Sequence, residues 1–423
     1  MPDYFPEIDR PLWSDTEVRS LQKIVGRLED SISGDLFGRT KISQPTTLFD
    51  SSHVYQDNGQ FVDSVNGTGA SVSYLVNQSS ASLNVGTASG EYVYRESRKV
   101  FTYQPGKSLQ VLQTFVFNPP KANLRQRAGY FSSENGFYVE RDGTDVYLVK
   151  RSFIGGSVSN TKVLQEQWNR DPLNGSGPSG LTLDMSKSQI LFSEYEWLGV
   201  GSVVMGFVIN GNLIAVHQFD NANVNTSVYI TSATLPVRFE IENTGATASS
   251  SSLKQICVSV ISNGGYEKKS VQSIARRSTT VAATVAGTIY PLVTIRLASD
   301  RLNAVILPSQ YHLQPTSSGS YEYFLIRNGT LTGASYNTTA FPNVDYDVAA
   351  TAISGGEVIE QGYFDASAQS AAPAIVVADY NFSYQLGRNS FTGVSDTMTL
   401  AFATFTSTGS PSAIGAMGFY DLT

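Results

Sequence analysis

Histidine and cysteine are nearly missing from this chain, whose 423 residues hold three histidines and one cysteine. A lone Cys257 excludes an intrachain disulfide framework, so durability has to come from packing and assembly. Flanked by Ile256 and Val258, it reads as a small buried hydrophobe. His53, His217 and His312 are too dispersed for the close ligand spacing of a zinc site. Charge is scarce as well, at 15% of residues, and its balance is acidic, with a net charge of −7 and a pI near 5.1. The chain therefore lacks the basic field that nucleic-acid phosphates require, and no nucleic-acid partner is expected. No stretch approaches the roughly 18 to 20 apolar residues of a membrane helix. An N-terminus carrying Asp3, Glu7 and Asp9 lacks a basic-then-apolar signal pattern, so neither membrane insertion nor secretion is expected. The glycine and nucleophile motifs of phosphate-binding, dinucleotide-binding and hydrolase folds do not occur in a strand-to-helix context; the run from Asn174 to Gly180 lies between non-helical segments and reads as a loop.

What is abundant points to strands. Tyr and Phe number 22 each, and Gly, Ser, Thr, Val and Asn fill most of the remainder, a mixture that favours pleated surfaces and tight turns. From Glu91 to Gly265, short alternating runs are separated by turn dipeptides at intervals of about eight to twelve residues, the pattern of a sandwich. Asn210-Gly211 joins Val203–Ile209 to Asn212–Phe219 as a two-residue type I′ hairpin, because both turn residues tolerate positive φ. Asp142-Gly143 is expected to do the same between Phe137–Arg141 and Thr144–Val149, and Asn328-Gly329 between Tyr321–Arg327 and Thr330–Thr332. Further strands are expected at Tyr92–Tyr103, Leu109–Phe117, Gln189–Trp197, Val237–Glu242 and Leu253–Ile261. The basic stretch Lys268 to Arg277 reads as a solvated linker or crossing strand.

One segment has helical periodicity. Ser14 and Glu17 form a capping box, Trp13 can staple on Val18, and Val18, Leu21, Val25, Leu28 and Ile32 recur at spacings of three and four before Gly34. A helix this short is marginal alone, so its seam needs a partner surface. The predicted organisation is all-β: residues 1–34 a helix for docking or oligomerisation, 35–90 an extended arm, 91–265 a jelly-roll or concanavalin-like sandwich, and 266–423 a second antiparallel sandwich.

Chemistry-bearing candidates are few. Glu240 and Glu242, and likewise Glu194 and Glu196, share a strand face by period two, the arrangement from which sandwich glycosidases draw an acid and a nucleophile. Half-exposed strands place such residues toward solvent without any catalysis, and that is the expectation here. Trp168, Tyr195 and Trp197 are candidates for stacking on sugar rings, as are Tyr130 and Tyr138. Asp345 and Asp347 in the loop from Asn343 fall short of the roughly six to eight oxygens of a calcium site. No metal, no cofactor and no catalytic residue is expected.

The ordered set Gly129–Glu140, Gln165–Trp168, Gly175–Gly180, Trp197–Gly201 and Leu235–Asn243 resembles a family of virion structural proteins of tailed, especially marine, bacteriophages over about residues 95 to 263. The resemblance implies a jelly-roll or concanavalin-like particle component, made in the host cytoplasm and residing in the virion as a tail, neck, baseplate, fibre or capsid-surface part, with no established catalytic role. Other virion proteins and copies of the chain itself are the expected partners, and a host-surface glycan is the alternative one. β-Branched residues at the three inferred a positions favour two strands, whereas phage fibres are often trimers and a short seam follows the domains behind it; a homotrimer is expected. Deleting residues 1–34 should leave the β-domains folded while lowering the oligomer mass in light scattering. If both forms run as monomers and the truncated chain still enters particles, the seam is only an intrachain face.

Overall fold

The computed structural model describes residues 44–268, 271–339, 342–367, 374–376 and 384–423. The helical seam lies outside them. Among the described residues no α-helix occurs, and the chain is all-β, built of antiparallel sheets in a jelly-roll-like sandwich arrangement.

The first sandwich uses fifteen strands: β1 (Thr46–Ser52), β2 (Phe61–Asn66), β3 (Ser71–Leu75), β4 (Ser80–Val85), β5 (Tyr92–Ser97), β6 (Leu109–Val116), β7 (Leu124–Phe131), β8 (Gly136–Asp142), β9 (Asp145–Ser152), β10 (Ser159–Leu164), β11 (Gln189–Tyr195), β12 (Val203–Ile209), β13 (Asn212–Phe219), β14 (Val237–Asn243) and β15 (Ser251–Ser262). One sheet runs β13-β12-β11-β6-β15-β4-β3, with β1 also paired to β15; the other runs β10-β9-β8-β7-β14-β5-β2. Strict alternation explains the layering. In β6, Leu109, Val111 and Phe115 turn inward, and in β14 Val237, Phe239 and Ile241 face them from the opposite sheet in one buried core. Gln113 joins the same inward row, where its Nε2 donates to the Gly129 carbonyl, 2.8 Å away.

Asn210 and Gly211 have φ of 52° and 79°, as a type I′ hairpin requires. The turn after β8 is shifted by one residue: Asp142 pairs with Asp145, and Gly143 carries the positive φ. Asn328-Gly329 is no hairpin. The strand Gly319–Arg327 pairs with Glu357–Ala366, and Thr330–Thr332 pairs with Ala352–Ser354. Cys257 is exposed, contrary to expectation, because a bulge between Gln255 and Cys257 reverses the alternation of β15. The expected arm is also corrected. Residues 46–85 form β1 to β4 and belong to both sheets, their polar side chains being the outward half of paired strands.

The second sandwich pairs a four-stranded sheet (Val271–Ala282, Ser412–Asp421, Ile306–Pro315, Ala374–Val376) with a six-stranded one centred on Tyr290–Leu297, Thr397–Thr404 and Gly319–Arg327. Its own core gathers Ile295, Leu325, Leu400 and Phe402 against Leu313, Met417 and Phe419. Residues 385–388 join the two sandwiches: Gln385 donates to the Val100 carbonyl and the Arg388 amide to the Arg98 carbonyl, each at 2.8 Å. Val100, Val305, Leu307 and Leu422 close a small apolar cluster beside them. Phe115, fully buried and 4.6 Å from the Phe117 ring, tests the first core. Phe115→Ala is expected to cost about 3–5 kcal/mol, read as a lowered urea midpoint at unchanged slope.

Candidate functional site

The outward face of the β10-to-β2 sheet departs most from a simple half-exposed strand. On β14, Arg238 and Glu240 point away from the core yet are 7% and 3% exposed. Register decides their partners. Arg127 on β7 lies opposite both Glu140 on β8 and Glu240 on β14, and Arg238 lies opposite Glu96 on β5. The result is a ladder of alternating charge: Lys162, Glu140, Arg127, Glu240, Arg238, Glu96, Arg388. Each glutamate spends one oxygen on each neighbouring cation. Arg127 Nε donates to Glu140 Oε2 at 2.6 Å and its Nη1 to Glu240 Oε2 at 2.7 Å. Arg238 Nε donates to Glu240 Oε1 at 2.7 Å and its Nη1 to Glu96 Oε2 at 2.8 Å. Arg388, from the second sandwich, ends the ladder 2.9 Å from Glu96 Oε1.

Aromatic rings cover the cations. Lys162 sits 5.3 Å from the Tyr147 ring centre, Arg127 5.5 Å from Tyr138, and Arg238 5.3 Å from Tyr94, 5.6 Å from Phe131 and 5.2 Å from Phe391. Water exclusion has a clear electrostatic consequence. Burial alone would raise the Glu240 carboxyl, but Arg238 and Arg127 outweigh it and hold that carboxyl below its ordinary value; Arg127 and Lys162 do the same for Glu140. Burial and the neighbouring Glu240 and Glu242 carboxylates drive the Tyr94 phenol upward.

Beside the ladder opens a cleft of about 340 Å³ between the sheet and the second sandwich, lined by Tyr92, Tyr94, Glu96, Arg238, Asn303 and Ser390 among others. The half-buried Tyr92 and Tyr94 rings stack at 4.3 Å and 17° because they are i and i+2 on one strand face. Tyr94 is pinned by donating to Glu242, which also accepts from Arg125 at 2.8 Å.

The residues expected to meet sugar do not line this cleft. Trp168 and Tyr195 are 4% and 1% exposed within the first core, Tyr195 by the alternation of β11, and Trp197 packs against that core. Their polar tips are spent on carbonyls: Trp168 Nε1 on Val163, Tyr195 Oη on Ala233 and Trp197 Nε1 on Ile230. Tyr130 is likewise in the core, and Tyr138 lies under Arg127 and Arg151. Glu240 is buried and doubly paired, a correction to the solvated face expected for it, while Glu194 accepts from Ser108 and Asn263. His217 packs edge-on against Phe219 and accepts from the Asn169 amide. Asp345 pairs with Arg296, and Asp347 accepts three backbone amides, from Ser335, Ala349 and Ala350. The cleft residues Tyr92 and Tyr94 did carry a sequence signal, an aromatic pair at period two, but no feature linked them to Asn303 and Ser390.

No protein-family model and no curated protein matches the chain. Among solved structures it is similar to a Bacillus licheniformis beta-glucanase, at 11% identity and a TM-score of 0.34 over 50% of this chain and 96% of that one. It is also similar to arcelin-5, a lectin-like defence protein from Phaseolus vulgaris, at 9% identity and 0.32 over 52% and 99%, and to the Emp47p carbohydrate recognition domain, at 10% and 0.33 over 55% and 100%. Likeness at this level transfers neither site nor activity.

Two outcomes test the ladder. Arg127→Met leaves two buried glutamates without their shared cation and is expected to cost about 3–5 kcal/mol in chemical unfolding. The pH dependence follows from the depressed folded-state values of Glu140 and Glu240. Their contribution is complete above the ordinary value of 4.5 and is lost as pH falls through the lower folded-state values, so Tm should drop steeply below about pH 4.5. Glu240→Gln should flatten that slope in melts recorded from pH 7 to pH 3; an unchanged slope would refute the assignment.

Proposed function

We propose that this chain is a non-enzymatic structural component of a tailed-bacteriophage particle that presents a carbohydrate-binding cleft toward the host surface. The observation that carries the binding role is the cleft over the stacked Tyr92 and Tyr94, where flat aromatic surface meets the planar polar groups of Arg238, Glu96 and Asn303. A sugar ring needs that pairing, an apolar C–H face against a ring and directed partners for its hydroxyls. The scaffold behind it, with Tyr94 held by Glu242 and Tyr92 stacked on Tyr94, lowers the ordering cost of binding.

The charge pattern supports binding over hydrolysis. A glycosidase needs one carboxyl group that keeps its proton near neutral pH. Glu240 is instead held ionised between two guanidiniums, and Glu242 is committed to Arg125 and Tyr94. The particle role rests on the ordered motif set between residues 95 and 263.

Purified particles analysed by mass spectrometry should contain the chain at a fixed multi-copy stoichiometry; its absence rejects the particle role. On a glycan array the full chain should bind a subset of glycans, and Tyr92→Ala should weaken that binding at least about tenfold, in line with loss of one aromatic platform. Reducing-sugar release should stay at background for every glycan bound. Release that disappears in Glu240→Gln overturns the non-enzymatic reading.

A further inference from the structure

Residues 53–60, between β1 and β2, run as a strap whose end lines a second cleft, of about 470 Å³, at the junction with the second sandwich. Asn58, Gly59 and Gln60 belong to that lining, and the Arg98 amide beside them donates to the Gln60 carbonyl at 2.8 Å. Val54 and Tyr55 are 53% and 89% exposed, so the attachment of the strap rests on a few polar contacts. Asn58 is tied back locally to Ser51 and Ser52, and Tyr74 Oη donates to the His53 carbonyl at 2.9 Å. The main clamp is Asp57, whose two carboxylate oxygens accept from Arg95 Nη2 at 2.6 and 2.8 Å. Arg95 is 1% exposed and carries that clamp into both sheets. Its Nη1 donates to the two oxygens of Asp63 on β2, at 2.9 and 2.8 Å, and its Nε to Gln255 Oε1 on β15 at 2.7 Å.

At the root of the strap sits His53, fully buried, with neither ring nitrogen in a hydrogen bond of good geometry among the described residues. Its Nδ1 lies 3.4 Å from Asp57 Oδ1, the same oxygen that Arg95 Nη2 reaches at 2.6 Å. A proton on the ring would therefore set a second cation within about 6 Å of a buried guanidinium. The carboxylates of this cluster, Asp57 on the strap and Asp63 on β2, already have both oxygens on Arg95, so a charged ring would compete with Arg95 for Asp57. The remaining neighbours are neutral: Gln255 from β15, and from β2 the Phe61 ring, 6.3 Å away. Burial is the leading cause that holds the His53 ring below its ordinary value of 6.5; Arg95 acts in the same sense, and Asp57 and Gln255 oppose it without cancelling it.

We propose that His53 is a proton-operated latch: while the ring is neutral, Arg95 clamps the strap against its side of the junction cleft, and when the ring is protonated the strap and the end of β1 lift away and open that cleft. The sign follows from linkage. In the released strap the ring titrates at its ordinary value, so the closed form is fully favoured above 6.5 and loses ground as pH falls from 6.5 through the lower closed-state value. That window lies above the one in which the buried ladder loses its glutamates, which begins at their ordinary 4.5, so the strap opens on an intact sandwich. The latch is separate from the Tyr92–Tyr94 cleft and stands or falls without it.

Hydrogen exchange of the full chain at about pH 7.5 and about pH 5.5, with each rate divided by the intrinsic rate at that pH, tests the latch in the wild-type protein. Protection in peptides spanning residues 46–62 should fall several-fold between the two, and by no more than about tenfold, the limit for a single group that titrates at 6.5 only when released. Peptides from β14 should keep their protection. His53→Gln has no proton to take up and should make protection over 46–62 the same at both pH values. A readout that needs no variant is the nuclear magnetic resonance titration of the His53 ring, whose midpoint should lie below 6.5. Protection over 46–62 indifferent to pH, a loss shared equally by β14, a loss that persists in His53→Gln, or a ring midpoint at or above 6.5 would each overturn the proposal.

Discussion

The alternating ladder from Lys162 to Arg388 is the constraint on which the rest of this structure depends. Three arginines and three glutamates are buried, and Arg127 and Arg238 lie under aromatic cover, on a sheet face that would ordinarily be wet. Charges so desolvated persist only where every one has a partner in good geometry, because a single missing member leaves its neighbours uncompensated in a medium of low polarity. The sheet supplies that geometry. Cross-strand register sets Arg127 between two glutamates, and the period of two along β14 carries the chain of pairs on to Arg238.

The ladder also explains why the two sandwiches meet where they do. Glu96 divides its carboxylate between Arg238 of the first sandwich and Arg388 of the second, and it accepts from Ser390 as well. Arg388 is one of the two cations that compensate the buried Glu96, so the approach of residues 385–390 to β5 is part of the same electrostatic solution. The Tyr92–Tyr94 cleft takes Arg388 and Ser390 from this crossing. A crossing held by ion pairs and main-chain hydrogen bonds gives that cleft walls from two cores.

Local rules carried far in some places and failed in others for identifiable reasons. Asn210-Gly211 was legible because positive φ is a property of the residues themselves. The strands β6, β11, β14 and β15 were legible because one face of each meets a core, which leaves alternation in the residue order. Polar composition over residues 35–90 suggests an arm or irregular strands; within 46–85 those residues belong to strands whose pairing partners lie in part far along the chain. Cys257 faces outward through a single bulged residue, since one added residue reverses the face of everything after it. Trp168, Tyr195 and Trp197 attracted attention as large aromatics, but an aromatic ring has the same identity in a core as on a binding surface.

Composition and periodicity by themselves determined that this chain is all-β, antiparallel, free of disulfide framework and poor in the residues of familiar catalytic motifs. These are properties of residue types and of spacing over a few positions, and strand alternation, turn chemistry and cysteine count all act at that range. Tertiary structure alone decided that Glu240 is a buried link between two arginines, that Tyr92 and Tyr94 form a cleft wall, and that His53 is buried beside the Asp57–Arg95 pair. Those facts depend on the register between strands and on the contact of two cores separated by hundreds of residues in some pairs, such as Glu96 with Arg388. Register is set by the summed burial of whole strand faces, so no short stretch of sequence contains it.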